Sequence, residues 1–418
     1  MNAALATSVE PSVVPVTPPA THATRATVSS IAYTYKRFPL TITRGEGVTL
    51  YDDAGRAYLD CMSGIATNAF GYNDAGVNAA IAEALSTGLI HLSNLFASEP
   101  AERLASFLTS RTFADKVFFC NSGVEAVEGA IKFARRWGRS IDAEGSKHEI
   151  VSVRGSFHGR LGTALAATDR AAYRMPFRPM PPGVTIAERD LDALSTIISS
   201  ERTAAVIIEP VQGEGGLRPL DHQFLRALRT LTRERNVLLV LDEIQCGLGR
   251  TGCFLAHEPI GIKPDILTLA KPLAGGLPMG AILLTSAVAS ALQPGEHGTT
   301  FGGGPLVSHV ALHVCERLAD PALLKRIRDD GAWFGAQLAA LKDTHPGVRA
   351  VRGVGFMWGV DVTEPAGAVI DRARAQGLLI ISAGDHTLRI LPPLVATRAD
   401  LERAVAMLDR ALRDGVAA

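Results

Sequence analysis

Two residues of opposite charge close two apolar runs: Asp242 ends "VLLVLD", and Lys271 follows "DILTLA". A carboxylate left there without a cation carries a desolvation penalty. An ammonium in a desolvated pocket holds its proton less tightly and becomes a nucleophile. Pro272 biases Lys271 away from helix and onto a turn. Taken singly, Asp242 reads equally as a helix cap or ion-pair partner, and Lys271 as an edge residue whose ammonium reaches water. Together, at neighbouring strand ends, they offer a carboxylate for a protonated pyridine nitrogen and an amine for an aldehyde, which is what a pyridoxal phosphate (PLP) site requires.

Such a site needs strands to carry it. Six short runs end in turn residues with amphipathic segments between them: "KVFFCNSG", "HEIVSVRGSFHG", "TAAVIIEPVQGEGG", "VLLVLDEIQ", "DILTLAKP" and "MGAILLTS". Continuous apolar strands alternating with helices predict a parallel sheet covered on both faces, an α/β fold. Ligands of such sheets bind at the carboxyl ends of the strands. Chemistry is therefore expected at Asn121 to Gly123, Ser156 to His158, Glu209 to Gly216, Asp242 to Gln245, and Lys271. Beyond about residue 310 the pattern changes to long helices, "VRGVGFMWGVDV" and "TLRILPPL", which predicts a second, smaller domain.

Composition narrows the ligand. Lys plus Arg equal Asp plus Glu at 42 each in 418 residues, so no global field draws nucleic acid or an anionic membrane. A small molecule is the expected partner. The five cysteines are never spaced as C-x-x-C, which argues against a disulfide framework or a structural zinc and fits the cytoplasm. The first thirty residues, rich in Pro and poor in Arg, read as a disordered tail with no transit peptide. Pro272 to Gly295 holds no charge and meets the length of a membrane span. Its prolines, glycines and hydroxyls predict a buried loop, strand and helix instead.

Four residues separate Asp242 from Gly247, where "GLGRTG", a G-x-G-x-x-G, begins. A dinucleotide loop needs the first glycine directly after the strand, the last inside a helix, and an acid at the end of the following strand. Here Asp242 and Glu243 close the strand, only "CFLAHE" precedes Pro259, and Asp265 starts the next strand. The glycines are expected in a turn-rich loop. A phosphate has a better place near Gly123, where Val124, Val127, Ile131 and Ala134 form one helical face. Free amides and the dipole at that N-terminus bind anions. Ser122 to Glu125 also reads as a capping box, and Ser122 cannot fully serve its own helix and a phosphate together.

With these residues in place, the chain from about Ile31 onward resembles the class III (ω-) aminotransferases of PLP fold type I. The matching blocks include "HLSNLF", "SGVEAVEGAIKFAR", "SFHGR", "EPVQGEGG", "LDEIQCGLGRTG", "KPDILTLAK", "GLPMGA", "HGTTFGG", "RGVGFMWGVD" and "RILPPL", in the family's order and at its spacings. The resemblance implies a large domain over residues 79–308 with a mostly parallel seven-stranded sheet. Residues 31–78 and 309–418 would make a smaller α+β domain, after a tail over 1–30. It implies that Lys271 carries PLP and moves the substrate proton, that Asp242 pairs with the ring nitrogen, that Gln245 meets the ring hydroxyl and that Phe157 stacks on the ring. Ser122 and Gly123 would hold the phosphate, with Thr300 arriving from the neighbouring subunit of a homodimer.

For substrates the resemblance implies an ω-amino donor and 2-oxoglutarate, whose two carboxylates both need cations. Arg160 would take the distal carboxylate and Arg389 the α-carboxylate. Glu214 would pair with Arg389 while the donor is bound and release it for the oxo acid; Tyr35 is a further candidate for the donor carboxylate. The expected donor is N2-acetylornithine, as in arginine biosynthesis, against succinylornithine, ornithine, 4-aminobutyrate or a lysine-pathway ω-amine. A nucleotide-dependent oxidoreductase and a non-catalytic PLP-fold binding protein are the rival classes. The chain departs from the family pattern at Val127, Cys246, Pro272, Gly304 and "GYNDA" (Gly71 to Ala75), none of which carries an assigned chemical role.

Overall fold

The computed structural model describes residues 30–413. The expected tail over residues 1–30 lies outside the described residues, apart from Ser30. The chain divides into a unit ending at Leu40 and a second, compact unit, Thr41–Ala418. Residues 30–40 form no helix or strand, and Tyr35 is exposed.

The second unit opens with three antiparallel strands, β1 (Ile42–Glu46), β2 (Thr49–Asp52) and β3 (Ala57–Asp60). The main sheet follows, built from β4 (Lys116–Cys120), β5 (Glu149–Val153), β6 (Val184–Ala187) and β7 (Thr203–Ile208). A two-stranded hairpin, β8 (Val211–Gln212) with β9 (Arg218–Pro219), leads to β10 (Leu238–Asp242), β11 (Ile266–Leu269) and β12 (Gly280–Leu284). The seven strands lie in the order β4-β12-β11-β10-β7-β5-β6. All six apolar runs are strands of this sheet; the seventh, β6, is a four-residue strand that no strong pattern announced.

One strand departs from the parallel expectation: β12 runs antiparallel to both β11 and β4. Its connection explains why. Only ten residues, 270 to 279, separate β11 from β12, and a parallel return needs a crossover of a dozen or more. The chain therefore reverses at once, and Lys271 sits in that reversal.

β7, β10, β11 and β12 are buried at every position. Alternate side chains of a strand point to opposite faces, and here each face has a core of its own. Leu239 and Leu241 of β10 join Leu267, Leu269 and Leu283 on one side, while Leu238 and Val240 join Ile266, Ile282 and Ile207 on the other. Truncating such a residue, for example Leu241→Ala, costs roughly 2–5 kcal/mol. The Gly123–Ile141 helix covers the second face with Ala126, Val127, Ala130, Ile131 and Ala134. Gly129 lets it approach, since a Cβ there would stand 2.4 Å from Ile282 Cδ1.

The C-terminal part carries the helices Pro305–Leu318 and Pro321–Thr344, then β13 (Val348–Val354), β14 (Met357–Val362), β15 (Leu378–Leu379), β16 (Ile381–Ser382) and β17 (Thr387–Ile390). Its sheet has the order β13-β14-β17-β16, whereas β15 pairs in parallel with β3. The "GLGRTG" segment is a run of turns with positive φ at Leu248, Gly249 and Gly252. Between the glycines, Arg250 is buried and donates to the carbonyls of Phe356 and Pro392 and to Ser63 Oγ. One side chain thus joins three distant stretches of chain. The uncharged stretch after Lys271 is a short 3-10 turn, β12 and a short helix. No helix among the described residues is long and apolar enough to cross a membrane.

Candidate active site

At the carboxyl ends of the main strands lies a cavity of about 500 Å³. Lys271, Asp242, Gln245, Ser122, Gly123, Phe157 and Arg160 all line it. β10 delivers Asp242, the turn after β11 delivers Lys271, and β4 leads into Ser122.

Asp242 is 4 % exposed and held from three sides. His158 Nδ1 stands 2.8 Å from Oδ2, while Thr268 Oγ1 and the Ile244 amide each donate to Oδ1 at 3.1 Å. These contacts fix the orientation of the carboxylate. His158 Nε2 is buried and has no hydrogen-bond partner among the described residues.

Lys271 has φ +32°, a backbone conformation that a non-glycine residue keeps only when its surroundings impose it. Those surroundings are the reversal into β12 and Pro272 within the following turn. Burial first, and then the Arg389 guanidinium, pull its ammonium down to about 8. Glu214, Asp242 and Glu209 act in the opposite sense without restoring it. The amine is thus available as a base or nucleophile near neutral pH.

Ser122 caps the Gly123–Ile141 helix, accepting from the Glu125 amide at 3.3 Å. The reciprocal half of the expected box does not form: Glu125 Oε2 reaches back to the amide and side chain of Asn121, both at 2.9 Å. The amides of Gly123 and Val124 precede the first helical donor, Ala126, and carry no intrahelical bond. They stand at the positive end of the dipole, beside the cavity. Gly123 is required there, because a Cβ would meet two Ile244 methyls at 3.0 Å.

Arg389, on β17, is 3 % exposed, and its Nη1 lies 2.5 Å from Glu214 Oε1. The same nitrogen reaches Gln245 Oε1 at 3.4 Å, which joins the pair to the cavity lining. Arg389 Nε is buried without a hydrogen-bond partner among the described residues. Arg160 is exposed at the mouth, its guanidinium 4.0 Å over the Tyr173 ring. Thr300 is exposed and does not line this cavity. Tyr35 belongs to the N-terminal unit, whereas this cavity is built from the second.

Glu209, which opens a stretch expected to carry chemistry but had no assigned role, lines the cavity. Its buried carboxyl accepts from the Phe157 amide at 3.0 Å and the Gly213 amide at 3.3 Å, tying the loops of Phe157 and Glu214 together. Burial and the Asp242 charge raise it to about 7, against the opposing pull of His158. A carboxyl directly after an apolar strand was the available signal. His158 lies in a stretch expected to carry chemistry, but its partner, 84 residues away, could not be read from the sequence.

The donor set fits PLP: free helix amides and Ser122 for a phosphate, a fixed carboxylate for a ring N–H, and an amine for the aldehyde. No group of acids, histidines or cysteines among the described residues could hold a metal ion.

Comparison with known proteins gives the same reading. The class-III aminotransferase profile matches residues 30–412. The chain is 46 % identical over 379 residues to a mitochondrial acetylornithine aminotransferase of Alnus glutinosa, covering 90 % of this chain and 84 % of the relative. It is 44 % identical to acetylornithine aminotransferase of Gloeobacter violaceus, covering 91 % and 94 %. Among solved structures, the ornithine aminotransferase of Toxoplasma gondii superposes with TM-score 0.88 at 29 % identity, covering 92 % and 93 %. N-acetylornithine aminotransferase of Stenotrophomonas maltophilia does so with TM-score 0.81 at 34 % identity, covering 92 % and 98 %.

Proposed function

The chain belongs to the class-III aminotransferases, and from that we propose that it transfers the δ-amino group of N2-acetylornithine to 2-oxoglutarate, using PLP. The observation that carries the reading is the Arg389–Glu214 pair, 2.5 Å apart at the edge of the cavity that holds Lys271 and Asp242. An ω-amine presents no carboxylate next to its reacting nitrogen, so a cation at that place must be neutralised while the donor is bound. An α-oxo acid presents one, and then the same cation must be free. A buried arginine with a carboxylate on a loop meets both demands.

Bound in this cavity, PLP supplies the electron sink that makes the carbon bearing the migrating nitrogen acidic. The protein does the rest. Asp242, immobilised by His158, Thr268 and the Ile244 amide, keeps a proton on the ring nitrogen it faces. Lys271 holds the cofactor and, when released, carries the proton to and from the substrate carbon, a task suited to an amine titrating at about 8. Gly123, Val124 and Ser122 take the phosphate, Gln245 the ring hydroxyl, and Phe157 the ring face. Arg160 takes the distal carboxylate of the oxo acid.

The working form is a cytoplasmic homodimer in which Thr300 of one subunit completes the phosphate site of the other; its exposure here supports that. A panel of ω-amines in a single-turnover half-reaction tests the donor. N2-acetylornithine should bleach the cofactor absorbance fastest and 2-oxoglutarate restore it. A tenfold preference for ornithine, succinylornithine or 4-aminobutyrate would replace the donor, and failure to bind PLP would sink the whole reading.

A further inference from the structure

A second cavity, of about 460 Å³, lies on the other side of the β8–β9 hairpin from a polar depression. The partnered residues Val211 and Pro219 face the cavity, and their neighbours Gln212 and Arg218 face the depression, as the two-residue period of strands requires. Its walls are mostly apolar, with Leu220, Ala256, Ile260 and Trp358 beside Val211. His222, Cys253, Thr251 and Arg328 break the pattern, and the last two matter most. Thr251 lines the cavity and is 7 % exposed, and its hydroxyl is buried without a hydrogen-bond partner. Arg328 stands on the rim, exposed, with no carboxylate at ion-pair distance among the described residues.

The rim cation is nevertheless held in place. Its stem lies over Gly252, where a Cβ would come within 2.3 Å of Arg328 Cγ, and Nη1 donates to the Gly252 carbonyl. Native proteins rarely leave a buried hydroxyl unpaired. Small-molecule sites combine apolar walls of this volume with a few fixed polar groups. We propose that the cavity is a ligand site for a small organic anion, its carboxylate on Arg328, its aliphatic body on the apolar walls, and a hydroxyl or carbonyl meeting Thr251. The hairpin that forms the wall carries Glu214 in its loop, between Gln212 and Arg218. Occupancy therefore biases the Arg389–Glu214 pair and alters the affinity for the oxo acid. Only this coupling rests on the aminotransferase reading; the binding does not.

The test uses full-length holoprotein, with 6-hydroxyhexanoate, hexanoate and 1-hexanol as probes and Trp358 fluorescence as the readout, Trp358→Phe serving as blank. Saturable binding in the order 6-hydroxyhexanoate, hexanoate, 1-hexanol is expected. Arg328→Gln should weaken the acids at least tenfold, and Thr251→Val should abolish the preference between them. Equal binding of 1-hexanol would refute the anion assignment. Binding that survives Arg328→Gln but disappears in Arg389→Met belongs to the catalytic cavity and overturns the proposal. No saturable response to any probe means that the cavity is filled in solution by protein, another copy or this chain's own ends, and overturns it too. In turnover, saturating 6-hydroxyhexanoate should shift KM for 2-oxoglutarate at least threefold in the parent and not in Arg328→Gln. Binding with an unchanged KM would refute the coupling, and binding by a protein that transaminates nothing would refute the function and leave the site.

Discussion

Replacing Lys271 by methionine should stabilise the cofactor-free protein while destroying its activity. An ordinary lysine titrates near 10.5, and burial with Arg389 pulls Lys271 to about 8. Holding its charge in the folded state therefore costs up to about 3.5 kcal/mol at about 1.4 kcal/mol per unit, the upper figure because water in the cavity relieves part of it. The sign follows from proton counts. Below pH 8 both states are charged and the whole penalty applies. Between 8 and 10.5 only the unfolded chain binds the proton, so stability rises with pH, and above 10.5 the penalty is gone. Lys271→Met removes the group, so its advantage should be greatest at pH 7 and vanish near pH 11. Urea unfolding of both cofactor-free proteins across that range measures it. Neighbouring charges give a second check: Arg389→Met should raise the Lys271 titration and Glu214→Gln lower it further, read from the pH dependence of PLP uptake. A methionine variant no more stable than the parent at pH 7, or a difference constant from pH 7 to 11, would falsify the account.

Asp242→Asn should keep PLP bound and the fold intact but lower kcat by at least about a hundredfold, because an amide cannot hold the ring nitrogen in its cationic form; single-turnover kinetics of the purified variant decide it. Glu214→Ala should leave Arg389 buried and uncompensated, raising kcat/KM for glutamate as donor relative to N2-acetylornithine by about tenfold or more, equivalent to at least about 1.4 kcal/mol, and an unchanged donor ranking would refute the exchange of partners. Arg250→Met should lower stability by about 3 kcal/mol, since it leaves the Phe356 and Pro392 carbonyls without their donor; equilibrium unfolding measures this, and a loss under 1 kcal/mol would show that water replaces the guanidinium.

The sheet was largely legible because four of its strands, β7, β10, β11 and β12, are buried on both faces and so read as unbroken apolar runs. Strand order and the reversal of β12 were not, since they depend on connection length and crossovers. The residues that touch the cavity could be placed by their position after each strand, and Lys271, Asp242, Gln245, Phe157 and Ser122 meet there. The bonds that His158 and Glu209 make among them could not. His158 reaches Asp242, and Glu209 reaches Phe157 and Gly213, only after β5, β7 and β10 have come side by side. The G-x-G-x-x-G shows how a motif misleads when its context is ignored. Its last glycine, Gly252, leaves room for the Arg328 stem, and the arginine between its glycines is a structural tie.

The pairing of β3 with β15 has a consequence for how the protein is made. Leu59 lies beside Leu378, and the Leu59 amide bonds the Gly377 carbonyl. At ribosomal rates of about 5–20 residues per second, roughly 16–64 s pass between the synthesis of these neighbours. The main sheet, complete by Leu284, can form in that interval, while β3 waits with an unpaired edge. A nascent chain stopped before residue 378 should therefore already protect the amides of β7 and β10 from exchange and leave those of β3 open, a state in which the edge invites chaperones or another copy.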